Sequence, residues 1–365
     1  MNPSSSPLWA SIRAQGMSTL SVMGMTKNTG KTVCLNHLLE QAAAASVAMG
    51  ITSIGRDGED RDQVFSIPKP AVVVWPGCLV ATARDTLLRA KVRTKQIGST
   101  GIESPMGEIL IVKALDQGDM EIAGASRSHD QHKVIALLKQ CGADMVILDG
   151  ALGRSHHASP AIADGVVLST GAAIGGGIQD VIRKTRDRLA ILGISQADPA
   201  LVAQVQSIID KGGVGVWTRD GACVLDARIA TLNAANTLLA LDAPDMGVIA
   251  VSGAVGRSLW QAITALLARH PGLTLVVADG TKLFIDATEL GIFSKKGGRL
   301  LALRGIRIAG ITLNPFSPFG GSFEAPEFLR AARTAFPAHI VSDVLYDDTL
   351  PLPSDTLILA EGTAP

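Results

Sequence analysis

Nine consecutive residues, Gly24-Met25-Thr26-Lys27-Asn28-Thr29-Gly30-Lys31-Thr32, have the types and spacing needed to grip a polyphosphate. An apolar run ends at Gly24 and a helix-forming run opens at Lys31, so the nine residues join an expected strand to an expected helix. In that setting the glycines let backbone N–H groups turn inward, and the start of the helix adds partial positive charge. Lys31 then meets the β- and γ-phosphates, and Thr32 offers a hydroxyl to Mg2+. Gly24, Thr26, Lys27, Asn28, Thr29, Gly30, Lys31 and Thr32 are therefore the expected phosphate contacts, with Lys31 catalytic as well. The expected ligands are ATP and Mg2+, although nothing in the nine residues separates adenine from guanine.

A magnesium nucleotide also needs carboxylate near its phosphates, because Mg2+ takes oxygen ligands and keeps several waters. Asp149 ends an apolar run in Val-Ile-Leu-Asp-Gly-Ala-Leu-Gly, at the carboxyl end of an expected parallel strand, where ligands of open α/β sheets collect. It reads as a metal ligand and catalytic group or as the cap of the turn that follows. Asp57, in Ile-Gly-Arg-Asp-Gly-Glu-Asp, follows the strand expected at 47–54 and has the same two roles open to it, against a solvated charged loop with Glu59, Asp60, Arg61 and Asp62. Thr170-Gly171 and Gly175-Gly176-Gly177 make a glycine-rich corner that serves either a substrate or only the turn. His156 and His157 suit anion binding, proton transfer or a plain surface loop. No G-x-S-x-G elbow or Ser-His-Asp set is found, which removes hydrolytic covalent catalysis.

The elements that must position these residues follow from periodicity. Strands are expected at 20–23, 47–54, 71–75, 145–148 and 166–168, alternating with helices at 31–45 and 178–192, the pattern of βαβ units around a mostly parallel, doubly wound α/β sheet. Residues 108–123 break the rhythm: Asp116-Gln117-Gly118-Asp119 reads as the turn of an inserted hairpin. A second hairpin is expected at 214–217 and 222–225, followed by strands at 248–251, 273–277, 306–311 and 339–341 and helices at 258–269 and 325–335. The expected organisation is a flexible tail over 1–17, a nucleotide-binding domain over 18–195, a connecting region with a hairpin over 196–245, and residues 246–365 as a second α/β domain or as the completion of the first sheet. Met17 is a second candidate for the initiating residue.

Composition narrows the partners. Among 365 residues, 33 basic and 33 acidic side chains cancel, so there is no broad positive field of the kind that holds nucleic acid. Charged residues, Gly or Pro interrupt every apolar run before the roughly 20 residues a membrane span needs, and residues 1–17 lack the pattern of a secretion signal. The four cysteines, Cys34, Cys78, Cys141 and Cys223, form no C-x-x-C pair. The expectation is a soluble, cytoplasmic protein with no nucleic-acid or membrane partner.

Five residues separate Gly24 from Gly30, one more than in the commonest P-loop spacing, and this loop resembles those of dethiobiotin synthetase and the cobyrinic and cobyric acid synthetases. The segment at Asp149 is similar to Glu-Gly-Ala-Gly-Gly of dethiobiotin synthetase, with Asp for Glu. Asn314, in Ile-Thr-Leu-Asn-Pro, resembles the strand-end Asn that helps hold the base in that group; the other reading is a turn residue before proline. Two departures stand out: Lys27 and Asn28 occupy positions of Thr and Glu, and Gly55-Arg56-Asp57 replaces the lysine–proline segment that serves substrate.

Taken with Thr-Ser-Ile-Gly-Arg-Asp-Gly-Glu, Gly101-Ile-Glu-Ser-Pro-Met-Gly107, Glu121-Ile-Ala-Gly124 and Leu148-Asp-Gly-Ala151, the loop resembles that of the P-loop accessory subunit, or reactivase, of adenosylcobalamin-dependent lysine 5,6-aminomutase, over roughly residues 18–195. This resemblance implies an ATPase that acts on a cobalamin-dependent aminomutase and drives release of damaged cofactor. The chain carries no Asp-x-His-x-x-Gly motif for ligating cobalt itself. An ATP-dependent ligase of the dethiobiotin synthetase kind is the alternative, and a metallochaperone is disfavoured by the scattered cysteines. Relatives of this class place their sites at dimer interfaces, so a homodimer is the expectation by analogy.

Overall fold

The computed structural model describes residues 5–54, 71–150, 162–231 and 233–346. It is an α/β structure with a large, mostly parallel sheet. Nine strands lie in the order β16 (Val341–Ser342), β15 (Ile308–Asn314), β9 (Gly165–Gly171), β1 (Thr19–Gly24), β8 (Met145–Asp149), β2 (Met49–Ser53), β4 (Leu79–Ala83), β6 (Gly107–Ala114) and β5 (Thr94–Ser104). The first seven run parallel, and β6 and β5 add an antiparallel edge. Parallel strands covered by helices on both faces must be apolar throughout, and β1, β8 and β2 are buried almost end to end. The two-residue period of a strand sorts β8 between the faces. Met145 and Ile147 join the core against α2 (Lys31–Ala44), and Val146 and Leu148 join the core against α4 (Ser128–Gln140).

From β9 the chain enters α5 (Ile178–Leu192) and then builds a separate sheet before returning. That sheet has the order β11 (Cys223–Ala227), β10 (Val214–Thr218), β12 (Met246–Val251), β13 (Thr274–Val277) and β14 (Arg299–Ala302). The strands β12, β13 and β14 are parallel, and β10 runs against both its neighbours. The helix α8 (Arg257–Arg269) packs on it through Leu259, Trp260, Ile263 and Leu266. The span 246–365 is thus divided: β12 to β14 belong to the second sheet, while β15 and β16 complete the first. Both ends of this excursion are tied together, with the Ala197 N–H donating to the Ala302 carbonyl at 2.8 Å and the Ala302 N–H to the Ser195 carbonyl at 2.8 Å.

Two local expectations fail. The hairpin expected over 108–123 does not form: β6 pairs with β5 through a turn at Pro105-Met106, and β7 (Gly118–Met120) pairs instead with β3 (Val72–Val74) in a small ribbon. The turn-like Asp116 is used otherwise, accepting from the backbone N–H of Arg93 at 2.9 Å. The flexible tail expected over 1–17 contains the helix α1 (Pro7–Ala14), whose Leu8, Trp9 and Ile12 are buried in the main core. Ser6 caps it by accepting from the Trp9 N–H at 3.3 Å, Pro7 takes the first helical position, and the Ser6 N–H reaches Gln41 Oε1 at 2.9 Å. Ser6→Ala removes the cap and the 2.8 Å contact with His37 Nε2, with an expected cost of about 1–2 kcal/mol in a denaturant titration. An unchanged midpoint would mean that this segment adds nothing to the fold. Among the described residues no helix is long and apolar enough to cross a membrane.

Candidate functional site

The carboxyl ends of β1, β8, β9 and β15 meet at one edge of the large sheet, and they bring together residues far apart in sequence. Residues 24–32 bridge β1 to α2 there. The loop starts by extending the strand pairing, with the Met25 N–H donating to the Ser169 carbonyl at 2.8 Å. It then turns through two left-handed residues, Asn28 at φ 62° and Gly30 at φ 85°, the second serving as the N-cap of α2. Asn tolerates that backbone conformation better than other side chains bearing a Cβ. Inside the loop the Thr29 hydroxyl donates to the Thr26 carbonyl at 2.9 Å. Gly24 is fixed by space: a Cβ there would sit 2.7 Å from Thr29 Oγ1 and 2.9 Å from Lys31 Cδ. The stem of Lys31 therefore lies back over the start of the loop, Lys27 is exposed, and Thr32 is buried in the first turn of α2.

Asp149 is the last residue of β8, 3% exposed, level with Val22 of β1 on one side and Ser53 of β2 on the other. Its neighbour β2 is held by a packed cluster that the Glu121-to-Gly124 motif supplies. The Ser53 hydroxyl donates to the Ile122 carbonyl at 2.9 Å and accepts from the Gly124 N–H at 3.1 Å, while Gln131 Nε2 donates to the Ser53 carbonyl at 2.6 Å. A Cβ on Gly124 would fall 1.9 Å from the Ser53 carbonyl, so only glycine permits this approach. The motif from Gly101 to Gly107 lies elsewhere, at the β5–β6 turn. Four strand spacings separate β6 from β1, which is about 19 Å.

Asn314 joins the site. Its Nδ2 donates to the carbonyl of Asn28 at 2.7 Å, and its Oδ1 accepts from the Phe316 N–H at 3.2 Å. Its Cβ lies 3.0 Å from where a Cβ of Gly30 would be, and its carbonyl oxygen 2.2 Å from where a Cβ of Gly171 would be. Asn314 is thus a clamp on the left-handed part of the loop, and Gly171 is needed for the close passage of β15. The turn at 175–177 has a structural account: Gly175 and Gly176 take φ 81° and 87°, and the Gly177 N–H donates to Asp180 Oδ2 at 3.3 Å. Asp57 and its acidic neighbours, Ala151, His156 and His157 lie outside the described residues.

Several features suit a nucleotide. The Nδ2 of Asn28, in the loop itself, is a buried donor with no acceptor, a costly state that an anion relieves. Thr32 and Asp149 supply one hydroxyl and one carboxylate, which is enough for Mg2+ held mainly by phosphates and water. No group of three or more His, Cys, Asp or Glu suited to a metal ion occurs among the described residues. Burial pushes the Cys34 thiol up to about 12, although Thr312 hydrogen-bonds it from β15, and burial alone does the same for Cys78. Neither is a nucleophile or a ready metal ligand at neutral pH.

Comparison with protein families, curated proteins and solved structures finds no match to this chain.

Proposed function

We propose that the protein binds Mg-ATP at residues 24–32 and hydrolyses it in the service of a partner protein, an adenosylcobalamin-dependent aminomutase whose damaged cofactor it helps to release. The observation that carries the nucleotide reading is the loop's build: a strand-to-helix turn with left-handed Asn28 and Gly30, Lys31 folded over Gly24, and Asp149 at the end of the adjoining parallel strand. The partner reading rests on the resemblance of the segments around the loop, Asp149 and Gly124, and such a partner enzyme belongs in the cytoplasm.

In this reading the loop N–H groups and the N-terminus of α2 hold the phosphates, and the Lys31 ammonium faces the oxygens that gain charge as the terminal phosphoryl leaves. Bound Mg2+, with Thr32 and Asp149 in its shell, neutralises the β- and γ-phosphates and orients water. A synthetase of the dethiobiotin synthetase kind is the second reading, favoured by the seating of Asn314 against the loop rather than in a distant domain.

One reconstitution separates the two. The purified protein alone should turn over ATP slowly, and an aminomutase inactivated during turnover should recover only with this protein, Mg-ATP and fresh cofactor together. Nucleotide moves the partner between states only through its differential affinity for them. Equal recovery without ATP would sink the partner reading; turnover that requires a small carboxylic acid with CO2 or an amide donor would establish the synthetase instead.

A further inference from the structure

The segment after Asn314 runs Pro315-Phe316-Ser317-Pro318-Phe319-Gly320-Gly321-Ser322-Phe323, and it treats its three aromatic rings differently. Phe323 is half-buried and packs edge-on against the buried Phe328, with ring centroids 5.1 Å apart. Phe316 and Phe319 stand 61% and 55% exposed. The segment is nevertheless tightly built. The Phe323 N–H donates to the Pro315 carbonyl at 2.8 Å, the Ser317 N–H to the Ser322 hydroxyl at 3.0 Å, and the Phe319 N–H to the Ser317 hydroxyl at 3.3 Å. Gly320 and Gly321 take φ 85° and 73°, and the Gly320 N–H closes on the Ser317 carbonyl at 3.2 Å. A loop held by this many bonds fixes the backbone from which its exposed rings project.

That place is set by Asn314, whose amide holds the Asn28 carbonyl with one end and the Phe316 N–H with the other. The residue that fixes the phosphate loop therefore also fixes Phe316. Two residues of chain span at most about 7 Å, comparable to the reach from a nucleotide's phosphates across its ribose to the base. The Asn314 amide is held by these two bonds, and the exposed Phe316 ring is the apolar face beside it.

We infer that Phe316 is the stacking face for the base of the bound nucleotide, and that the site takes purine nucleoside triphosphates by stacking with little preference between ATP and GTP. The inference rests on the nucleotide reading of residues 24–32. Stacking is tolerant of base identity because every base has a π-face, and it favours the larger purine ring. An exposed Phe gains by being covered, and ordering it costs the complex less because its backbone is already held.

Calorimetry with ATP, GTP, UTP and inorganic tripolyphosphate, each with Mg2+, tests it on the full chain. The expected result is similar binding of ATP and GTP, weaker UTP, and a loss of about 10- to 100-fold in ATP affinity for Phe316→Ala. Tripolyphosphate binding should be unchanged by that substitution, and Phe316→Trp should restore ATP. Since Phe316 is largely exposed, the alanine variant keeps its fold, which circular dichroism checks. Equal ATP affinity in parent and Phe316→Ala, or an equal loss for ATP and tripolyphosphate, would overturn the stacking role while leaving the phosphate loop standing. A strong preference for one purine would overturn the tolerance. If the parent binds neither tripolyphosphate nor any nucleotide, the nucleotide reading itself falls, and the stacking role with it.

Discussion

Lys31→Ala is expected to weaken Mg-ATP binding at least about 100-fold while the protein stays folded. The substitution removes the charge that faces the β- and γ-phosphates. Hydrogen bonds to charged groups contribute roughly 1.5–3 kcal/mol, and about 2.7 kcal/mol corresponds to 100-fold. The fold is spared for a local reason: Lys31 is the first residue of α2, and Ala is the best helix former. The part of the stem that lies over Gly24 is lost, but the core beneath is built from Cys34, Leu35, Leu38 and Leu39, which the change leaves alone. Titration calorimetry beside a thermal melt reads both halves of the claim. A folded variant with the parent's affinity would remove the basis for reading residues 24–32 as a phosphate site.

Asp149→Asn is expected to leave nucleotide binding within a few-fold of the parent and to lower kcat for ATP hydrolysis at least about 100-fold at saturating Mg-ATP. The amide fills the same buried space between Val22 and Ser53 but carries no negative charge to orient the metal and its waters. A 100-fold loss is about 2.7 kcal/mol of barrier. A change of kcat below about twofold would make Asp149 a buried strand-end residue with no part in turnover. The comparison is informative because Asp149 sits in a strand paired on both sides, a pairing made by the backbone that the substitution leaves in place.

What could be read in advance was what local chemistry encodes. Residues 24–32, β1, α2 and α5 were legible because glycine spacing and apolar periodicity are local signals. The helix α1 was missed: the Ser- and Pro-rich composition suggested a tail, although Ser6-Pro7 is a start signal and Leu8 with Ile12 gives one apolar face. Strand pairing was not legible. The residues 116–119 resemble a hairpin turn, yet β6 and β7 go to different partners, because pairing is decided by buried faces contributed from elsewhere in the chain. The role of Asn314 was half legible. Its strand-end position could be read, but its bond to Asn28, 286 positions away, depends on the intervening chain folding so as to bring β15 beside β9. The cluster of Ser53, Gly124 and Gln131 gave a sequence signal only in Gly124, whose need for a bare Cα becomes apparent when the Ser53 carbonyl is in place.

The clamp of Asn314 on Asn28 also bears on synthesis. Residues 24–32 leave the ribosome early, with β1 and α2 to frame them. The residue that holds their left-handed turn belongs to a strand made after the whole second sheet, and α1 at the other end of the chain packs on that same strand. A nascent chain ending before residue 308 therefore has residues 24–32 without their clamp, and its first helix has no β15 to cover. Because the ends of the second sheet's segment are bonded to each other at Ser195, Ala197 and Ala302, that sheet can close by itself while β9 waits for its neighbour. The left-handed turn of residues 24–32 thus gains its clamp only near the end of translation, and a product truncated before residue 308 lacks it.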